Sequence, residues 1–200
     1  MRMVLVTVQI KIPSIINAEK MDKTAQNEWH RLFLIECLPE PLTPASAHIQ
    51  LFDNYIEHTR IRLRSIRDPY TKSWTRSLQQ RFAADSAVTK MSEIHLNEGE
   101  YAVFERFEGR EIRKNRYFHE FDHLMFAFDV YLGPLWGLNT AKAEFDSREA
   151  MEKFEPPPFA VFEVTGDPFF AGSSIVTRTF ADVQAELARV APGQMALPDE

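Results

Sequence analysis

Arginine alternates with aliphatic residues in the stretch Thr59-Arg60-Ile61-Arg62-Leu63-Arg64-Ser65-Ile66. A period of two predicts a β-strand, with the three arginines on one face and the apolar residues on the other. Guanidinium groups repel one another unless an anion lies between them, and arginine binds phosphate oxygens in pairs. The alternative is a charged strand face that simply meets water, which is common in antiparallel sheets. This stretch alone leaves both interpretations open.

The composition is typical of one domain. The chain has 200 residues, 44% of them hydrophobic and 16 of them Phe, which is enough for a packed, aromatic core. The net charge of −6 argues against a general nucleic-acid surface, so a local cluster of Arg and Lys is informative. The single cysteine, Cys37, excludes an internal disulfide and fits a reducing compartment. No apolar run approaches the length of a membrane span, and we expect a cytoplasmic protein.

Alternating patterns recur along the chain and predict a mainly β fold. Helices are expected after Asn97, which can form a capping box with Glu100, after Ser147, and at residues 179–190. Many strands joined by short turns indicate an antiparallel, closed or nearly closed sheet with peripheral helices. Strands are expected at residues 4–12, 28–36, 47–56, 59–66, 73–82, 88–96, 111–117, 125–131, 138–145 and 160–165.

Several of these strands carry charges on one face and apolar residues on the other. If the apolar faces pack against helices, the charged faces line an interior suited to a polyanion with a divalent cation. In the opposite arrangement the charges lie in solvent around one ordinary core. The patterns do not choose between these two arrangements.

A series of motifs between residues 28 and 175 resembles a known family. Its order and spacing are similar to those of the CYTH domain, the fold of the triphosphate tunnel metalloenzymes. The motifs are Asn54-Tyr55, the arginine pairs around Arg62, Lys114-Asn115-Arg116-Tyr117, Phe128-Asp129-Val130-Tyr131, Ala141-Lys142-Ala143-Glu144-Phe145 and Phe162-Glu163-Val164-Thr165-Gly166-Asp167.

This resemblance implies a fold and a division of the chain. The fold would be α+β and mainly antiparallel, an eight-stranded or slightly larger tunnel barrel with peripheral helices. Residues 28–191 would form this domain. Residues 1–27 would be an N-terminal extension with one extra strand, and residues 192–200 a tail.

The resemblance also implies the site. Basic residues would bind the phosphates, and carboxylates would hold Mg²⁺ or Mn²⁺ beside them, with Glu28 and Glu163 in catalytic roles. The phosphate-binding residues would be Arg60, Arg62, Arg64, Arg76, Lys114 and Arg116. The metal ligands would be Glu28, Glu144 and Glu163, with His30 and Glu93 as further candidates.

The sequence departs from the family pattern where carboxylates are expected. The opening Glu-x-Glu-x-Lys signature aligns with Glu28, His30 and Leu32, so one carboxylate is replaced by imidazole and the lysine by leucine. Lys142 replaces a glutamate of the Ala-Glu-x-Glu strand. These changes favour anion binding over cation binding.

Three functions therefore remain open. The first is metal-assisted hydrolysis of a triphosphate compound, either inorganic tripolyphosphate or an organic triphosphate. The second is capture of a polyphosphate or nucleotide with little or no turnover. The third is a structural use of the barrel as a homo-oligomer, in which residues 3–12 add a pairing strand. The first two explain the clustered Arg and Lys better than the third. The expected partner is a small-molecule polyphosphate or triphosphate, with no nucleic acid and no membrane.

Overall fold

The structure is a computed structural model that describes residues 26–83 and 88–190. The extra strand expected at residues 4–12 and the tail expected at residues 192–200 lie outside the described residues. None of the described helices is long and apolar enough to span a membrane.

In the described residues, nine strands, four short α-helices and two 3-10 helices (Gly133–Leu135 and Pro168–Phe170) make up the regular structure. The strands are β1 (Gln26–Leu34), β2 (His48–Ile56), β3 (Ile61–Arg67), β4 (Trp74–Ala83), β5 (Val88–Leu96), β6 (Gly109–Phe121), β7 (Leu124–Tyr131), β8 (Asn139–Phe145) and β9 (Phe162–Glu163). The helices are α1 (Glu98–Phe104), α2 (Arg148–Lys153), α3 (Gly172–Ile175) and α4 (Phe180–Val190).

The strands form one curled antiparallel sheet, as the sequence predicted. Its order is β5-β4-β3-β2-β6-β7-β8-β1-β9, and β5 also pairs with β1. This last pairing joins Gln26 to Met91 and Trp29 to Val88, so the two sides of the sheet meet along a short seam. A sheet that returns to its first strand has an inner and an outer face, and residue alternation assigns each side chain to one of them.

Most predicted elements are confirmed, with differences at their ends. Asn97 and Glu100 form the capping box of α1, and the Ser147 side chain caps α2. The strand expected at residues 160–165 shrinks to two residues, Phe162–Glu163. Helix α1 ends at Phe104, and Gly109 begins β6.

The outer face of β1, β7 and β8 carries an aromatic cluster. Phe126 lies at its centre, and its ring stands 5.3 Å from that of Phe159 and 5.8 Å from that of Phe128. The loop after α2 covers this cluster through Phe154 and Phe159. The buried members of the cluster are Phe33, Ile35, Tyr117, Phe126, Phe128, Ala141 and Ala143.

A second apolar cluster joins the sheet to the C-terminal helices. Val183 and Leu187 of α4 are buried in it, as the spacing of residues 179–190 predicted. Its buried members are Leu34, Ile112, Tyr131, Leu135, Leu138, Val164, Phe170, Ile175, Val183 and Leu187.

Substitution of Phe126 by alanine should lower the free energy of unfolding by about 3–5 kcal/mol, because the side chain is fully buried among other rings. Met125→Ala, next to it but 39% exposed, should cost less than about 1 kcal/mol. Urea denaturation of the two variants measures both values. Equal losses would contradict the assignment of faces.

Candidate functional site

Asp53 of β2 is buried on the inner face and gathers two arginines of β3. Its carboxylate accepts hydrogen bonds from Arg64 Nε and Nη2, both at 2.6 Å, and from Arg62 Nη1 at 3.3 Å. Asp53 stands directly opposite Arg64 in the sheet, and Arg62 follows on the same face. The alternation of residues 61–64 therefore directs both guanidiniums to one carboxylate.

Asp129 of β7 likewise accepts hydrogen bonds from two cations of β6. It accepts hydrogen bonds from Lys114 Nζ at 2.5 Å and from Arg116 Nε and Nη2 at 2.6 and 2.7 Å. Arg116 is its direct partner in the sheet, and Lys114 lies two residues away on the same face. Each buried aspartate thus holds two cations of the neighbouring strand.

Neutral side chains complete the surroundings of Arg62. Gln79 Oε1 accepts hydrogen bonds from Nε and Nη2 of Arg62, and Tyr55 Oη accepts one from Nη1 at 3.3 Å. The Gln79 amide then donates to Glu93 at 2.5 Å. Arg62 is therefore held at all three guanidinium nitrogens, which fixes its orientation before any ligand arrives.

We call the six charged residues the cationic cluster. Arg62, Arg64 and Lys114 are each less than a tenth exposed. Four cations and two carboxylates leave a formal charge of +2 when Lys114 is protonated. The cluster consists of Asp53, Arg62, Arg64, Lys114, Arg116 and Asp129.

The pKa values follow from burial and from these neighbours. Burial alone would raise the pKa of Asp53 and of Asp129, but the adjacent cations outweigh it and hold both well below the usual range. Burial lowers the pKa of Lys114 to about 8, although Asp129 acts in the opposite direction. The charge of the cluster therefore changes near the alkaline edge of the physiological range.

The ion pairs leave hydrogen-bond donors available. Arg64 and Arg116 reach their carboxylates through Nε and Nη2, so neither Nη1 takes part in these contacts. Lys114 uses one of its three N–H bonds for Asp129. The cluster can consequently bind the oxygens of a phosphate without breaking its internal pairs.

Two of the predicted phosphate ligands lie elsewhere. Arg60 is exposed in the turn before β3. Arg76 stands opposite Ser65, whereas its neighbour Ser77 stands opposite Arg64, so Arg76 is on the outer face. There its guanidinium packs on Tyr101, 4.7 Å from the ring centroid. In the sequence, both residues follow the same alternating pattern as the arginines of the cluster. In the structure, the turn before β3 and the register of β4 keep them apart from the cluster.

Glu163, predicted to hold metal and to act in catalysis, also points away from the cluster. It pairs with Phe33 across the strands and so shares the outer face. Arg31 binds both of its carboxylate oxygens, with an Nε–Oε1 distance of 2.8 Å. Arg31 additionally donates to the Phe154 carbonyl, so this pair fastens β9 and the end of α2 to β1.

The remaining predicted metal ligands are partly brought together. His30 and Glu144 are direct partners between β1 and β8, and Glu144 accepts a hydrogen bond from Lys142 at 2.6 Å. Glu93 lies on β5, where it accepts a hydrogen bond from the Gln79 amide. The Glu28 side chain lies outside the described part of the structure.

Within the described ranges, no three His, Cys, Asp or Glu side chains converge as a metal-binding group. Three of the predicted acids, Glu144, Glu93 and Glu163, are bound instead to Lys142, Gln79 and Arg31, respectively. Among the described residues, acids engaged in this way do not fit a resident Mg²⁺ or Mn²⁺ ion.

Sequence reasoning missed the two aspartates and Gln79 as parts of the site. Asp53 is an isolated acid in the strand next to the arginine strand, and Asp129 follows a Phe in an otherwise apolar strand. A buried charge needs a partner of opposite sign, so these two acids carried a usable signal.

Replacement of Asp129 by asparagine should lower the free energy of unfolding by about 3 kcal/mol at neutral pH, because Lys114 and Arg116 lose their buried counter-ion. The exposed Asp122→Asn variant in the β6–β7 turn is the matched control.

The same variant has a defined pH dependence. The pKa of Asp129 is lowered from its ordinary 3.8, so its carboxylate stabilises the fold above that pH and this contribution is lost as the pH falls. Urea titrations at several pH values should show the difference from wild type shrinking below about pH 4. A constant difference would rule out a charged Asp129.

No family model matches the chain. An inorganic triphosphatase from Nitrosomonas europaea is 31% identical to it over 124 residues, which are 55% of this chain and 82% of that protein. The crystal structure of the inorganic triphosphatase NE1496 has a TM-score of 0.51 at 24% identity and covers 74% of this chain and 93% of that one. A crystal structure described as the hypothetical protein NE1496 has a TM-score of 0.52 at 22% identity and covers 76% and 99%.

The two structures share the fold of this chain, and the sequence match spans most of the N. europaea enzyme. The sequence motifs around Lys114, Asp129 and Glu144 indicate the same family. The chain therefore belongs to the CYTH family of triphosphate tunnel proteins.

Proposed function

We propose that the protein hydrolyses a triphosphate-containing compound, either inorganic tripolyphosphate or an organic triphosphate. The observation that carries this proposal is the cationic cluster, with four cations on the inner face of the sheet and a formal charge of +2. The N. europaea relative is named as an inorganic triphosphatase, which supports the same reaction here. The phosphate ligands would be Arg62, Arg64, Lys114 and Arg116.

The cluster suits the chemistry of phosphoryl transfer. In that reaction negative charge is spread over the oxygens of the transferred group, and catalysis consists mainly of positioning and electrostatic stabilisation. The two buried aspartates fix the guanidiniums in place, so the donors need no reorganisation when the charge develops. Water would attack the phosphorus in line with the leaving oxygen.

We further propose that Mg²⁺ or Mn²⁺ arrives bound to the oxygens of the substrate. The ion pairs that occupy Glu144 and Glu163 support this, because they leave these acids engaged with cations of the protein. We also propose a cytoplasmic location, which the single cysteine supports.

The direct test measures phosphate release from tripolyphosphate and from ATP, with Mg²⁺ and with Mn²⁺. We expect phosphate release with at least one combination of substrate and metal ion. Binding of tripolyphosphate without turnover under any condition would identify a polyphosphate-binding protein instead.

Arg116→Ala should lower kcat/KM by about 100-fold or more, as removal of one preorganised donor does in other enzymes. Arg113→Ala is the matched control, because it lies on the same strand with its side chain 62% exposed and paired to Glu111. It should keep kcat/KM within about threefold of wild type. Similar losses of kcat/KM in both variants would show that the cationic cluster does not bind the substrate.

Affinity for tripolyphosphate should fall as the pH rises above about 8, because Lys114 then loses its proton. In Lys114→Arg the side chain stays charged, so the fall should be absent. Calorimetric titrations of both proteins with the same ligand separate this effect from ionisation of the ligand. Parallel pH profiles would show that Lys114 does not bind the anion.

A further inference from the structure

Strand β5 is paired on both sides over only part of its length. Its pairing with β4 extends from Thr89 to Leu96, whereas its pairing with β1 extends only from Val88 to Met91. Among the residues that the structure describes, residues 92–96 therefore pair with a strand on one side only. We call the other side of residues 92–96 the open edge of β5.

The side chains along the open edge are exposed on both faces of the sheet. Four consecutive residues of the strand are exposed, namely Ser92, Glu93, Ile94 and His95. Successive side chains of a strand point to opposite faces, so this exposure affects the inner and the outer face alike. Ile94 alone is 62% exposed. An open edge also presents unpaired backbone N–H and C=O groups, and native proteins usually cover such an edge.

The two faces at the open edge differ in chemistry. Glu93 pairs with Gln79, which binds Arg62 of the cationic cluster, so Glu93 lies on the inner face. Ile94 pairs with Leu78 and lies on the outer face. A strand that matches this edge has an aliphatic face toward the outside and a polar, cationic face toward the inside.

The sequence of residues 4–12, which lie outside the described residues, has this pattern. Val4, Val6, Val8, Ile10 and Ile12 occupy alternate positions, and the positions between them hold Leu5, Thr7, Gln9 and Lys11. A period of two places the first set on one face of a strand and the second set on the other. One face is thus entirely aliphatic, and the other is largely polar with one positive charge.

The connection to β1 brings this segment within reach of the open edge. The first residue of β1, Gln26, pairs with Met91, so the chain enters β1 beside the start of the open edge. Residues 13–25 can span roughly 40 Å when extended, and the open edge is about 17 Å long. A short tether of this kind keeps a segment at an effective concentration in the millimolar range, which favours it over a second copy of the chain.

We propose that residues 4–12 bind to the open edge of β5 as a further strand of the sheet. Backbone hydrogen bonds to residues 92–96 supply the affinity, as in other cases of strand addition. The aliphatic face of the segment covers Ile94, and its polar face places Lys11 on the same side of the sheet as Glu93. The added strand extends the wall of the curled sheet beyond the short seam between β5 and β1.

The test is hydrogen exchange of the full chain, measured for individual backbone amides. In wild type, the amides of residues 92–96 that point away from β4 should be protected. Val8→Pro removes a backbone donor and interrupts the segment, so these amides should exchange at least about tenfold faster in this variant. Ala18→Pro, in the connecting residues, is the matched control and should leave their exchange unchanged. Amides of the paired strands β2 and β6 report in each variant that the fold is intact.

A second pair of variants tests the contact from the side of β5. Ile94→Asp places a charge against the aliphatic face of the segment, so the amides of residues 4–12 should lose their protection at least about tenfold. Val103→Asp in α1 is the matched control, because this aliphatic residue is similarly exposed at 59%. It should leave the protection of residues 4–12 as in wild type.

Equal exchange at residues 92–96 in wild type and in Val8→Pro would overturn the proposal. Protection that rises with protein concentration would also overturn it, because the added strand would then come from a second copy of the chain. Protection that is independent of concentration, in a protein that light scattering shows to be a monomer, is the expected result. The measurement uses no substrate, so its outcome is separate from that of the hydrolysis experiment.

Discussion

Four cationic side chains lie together on the inner face of a curled sheet, where water screens their repulsion poorly. Asp53 and Asp129 make this arrangement stable, because each accepts hydrogen bonds from two cations of the adjacent strand. These ion pairs do not use Nη1 of Arg64 or of Arg116, they use one N–H of Lys114, and they leave a formal charge of +2 uncompensated. The same contacts therefore stabilise the apo protein and prepare it for an anion.

The two apolar clusters determine where this charge can be reached. The aromatic cluster around Phe126 covers the outer face of β1, β7 and β8 and gives this part of the sheet a packed layer. The second apolar cluster packs inner-face residues such as Ile112 and Tyr131 against α4. Glu144, the strand partner of His30 on the inner face, keeps 64% of its side chain exposed, so the interior meets solvent there.

Strand register explains which predicted residues the structure brings together. Arg62 and Arg64 share the inner face, and the alternation that predicts this is visible within one strand. Arg76 and Glu163 lie on the outer face, because their faces depend on which residues of β3 and β1 stand opposite them. A shift of one residue moves a side chain to the other face, and the sequence of a single strand does not fix its pairing.

The sequence by itself determined the antiparallel architecture, the capped helices, the family motifs and the arginine strand. All of these depend on local patterns of two to four residues or on the order and spacing of motifs along the chain. Tertiary structure alone decided that Asp53 and Asp129 partly neutralise the cations, that Glu163 pairs with Arg31, and that α3 and α4 pack against the sheet in the second apolar cluster. These contacts join residues far apart in the chain, and their energies depend on burial, which exists only after the sheet has curled.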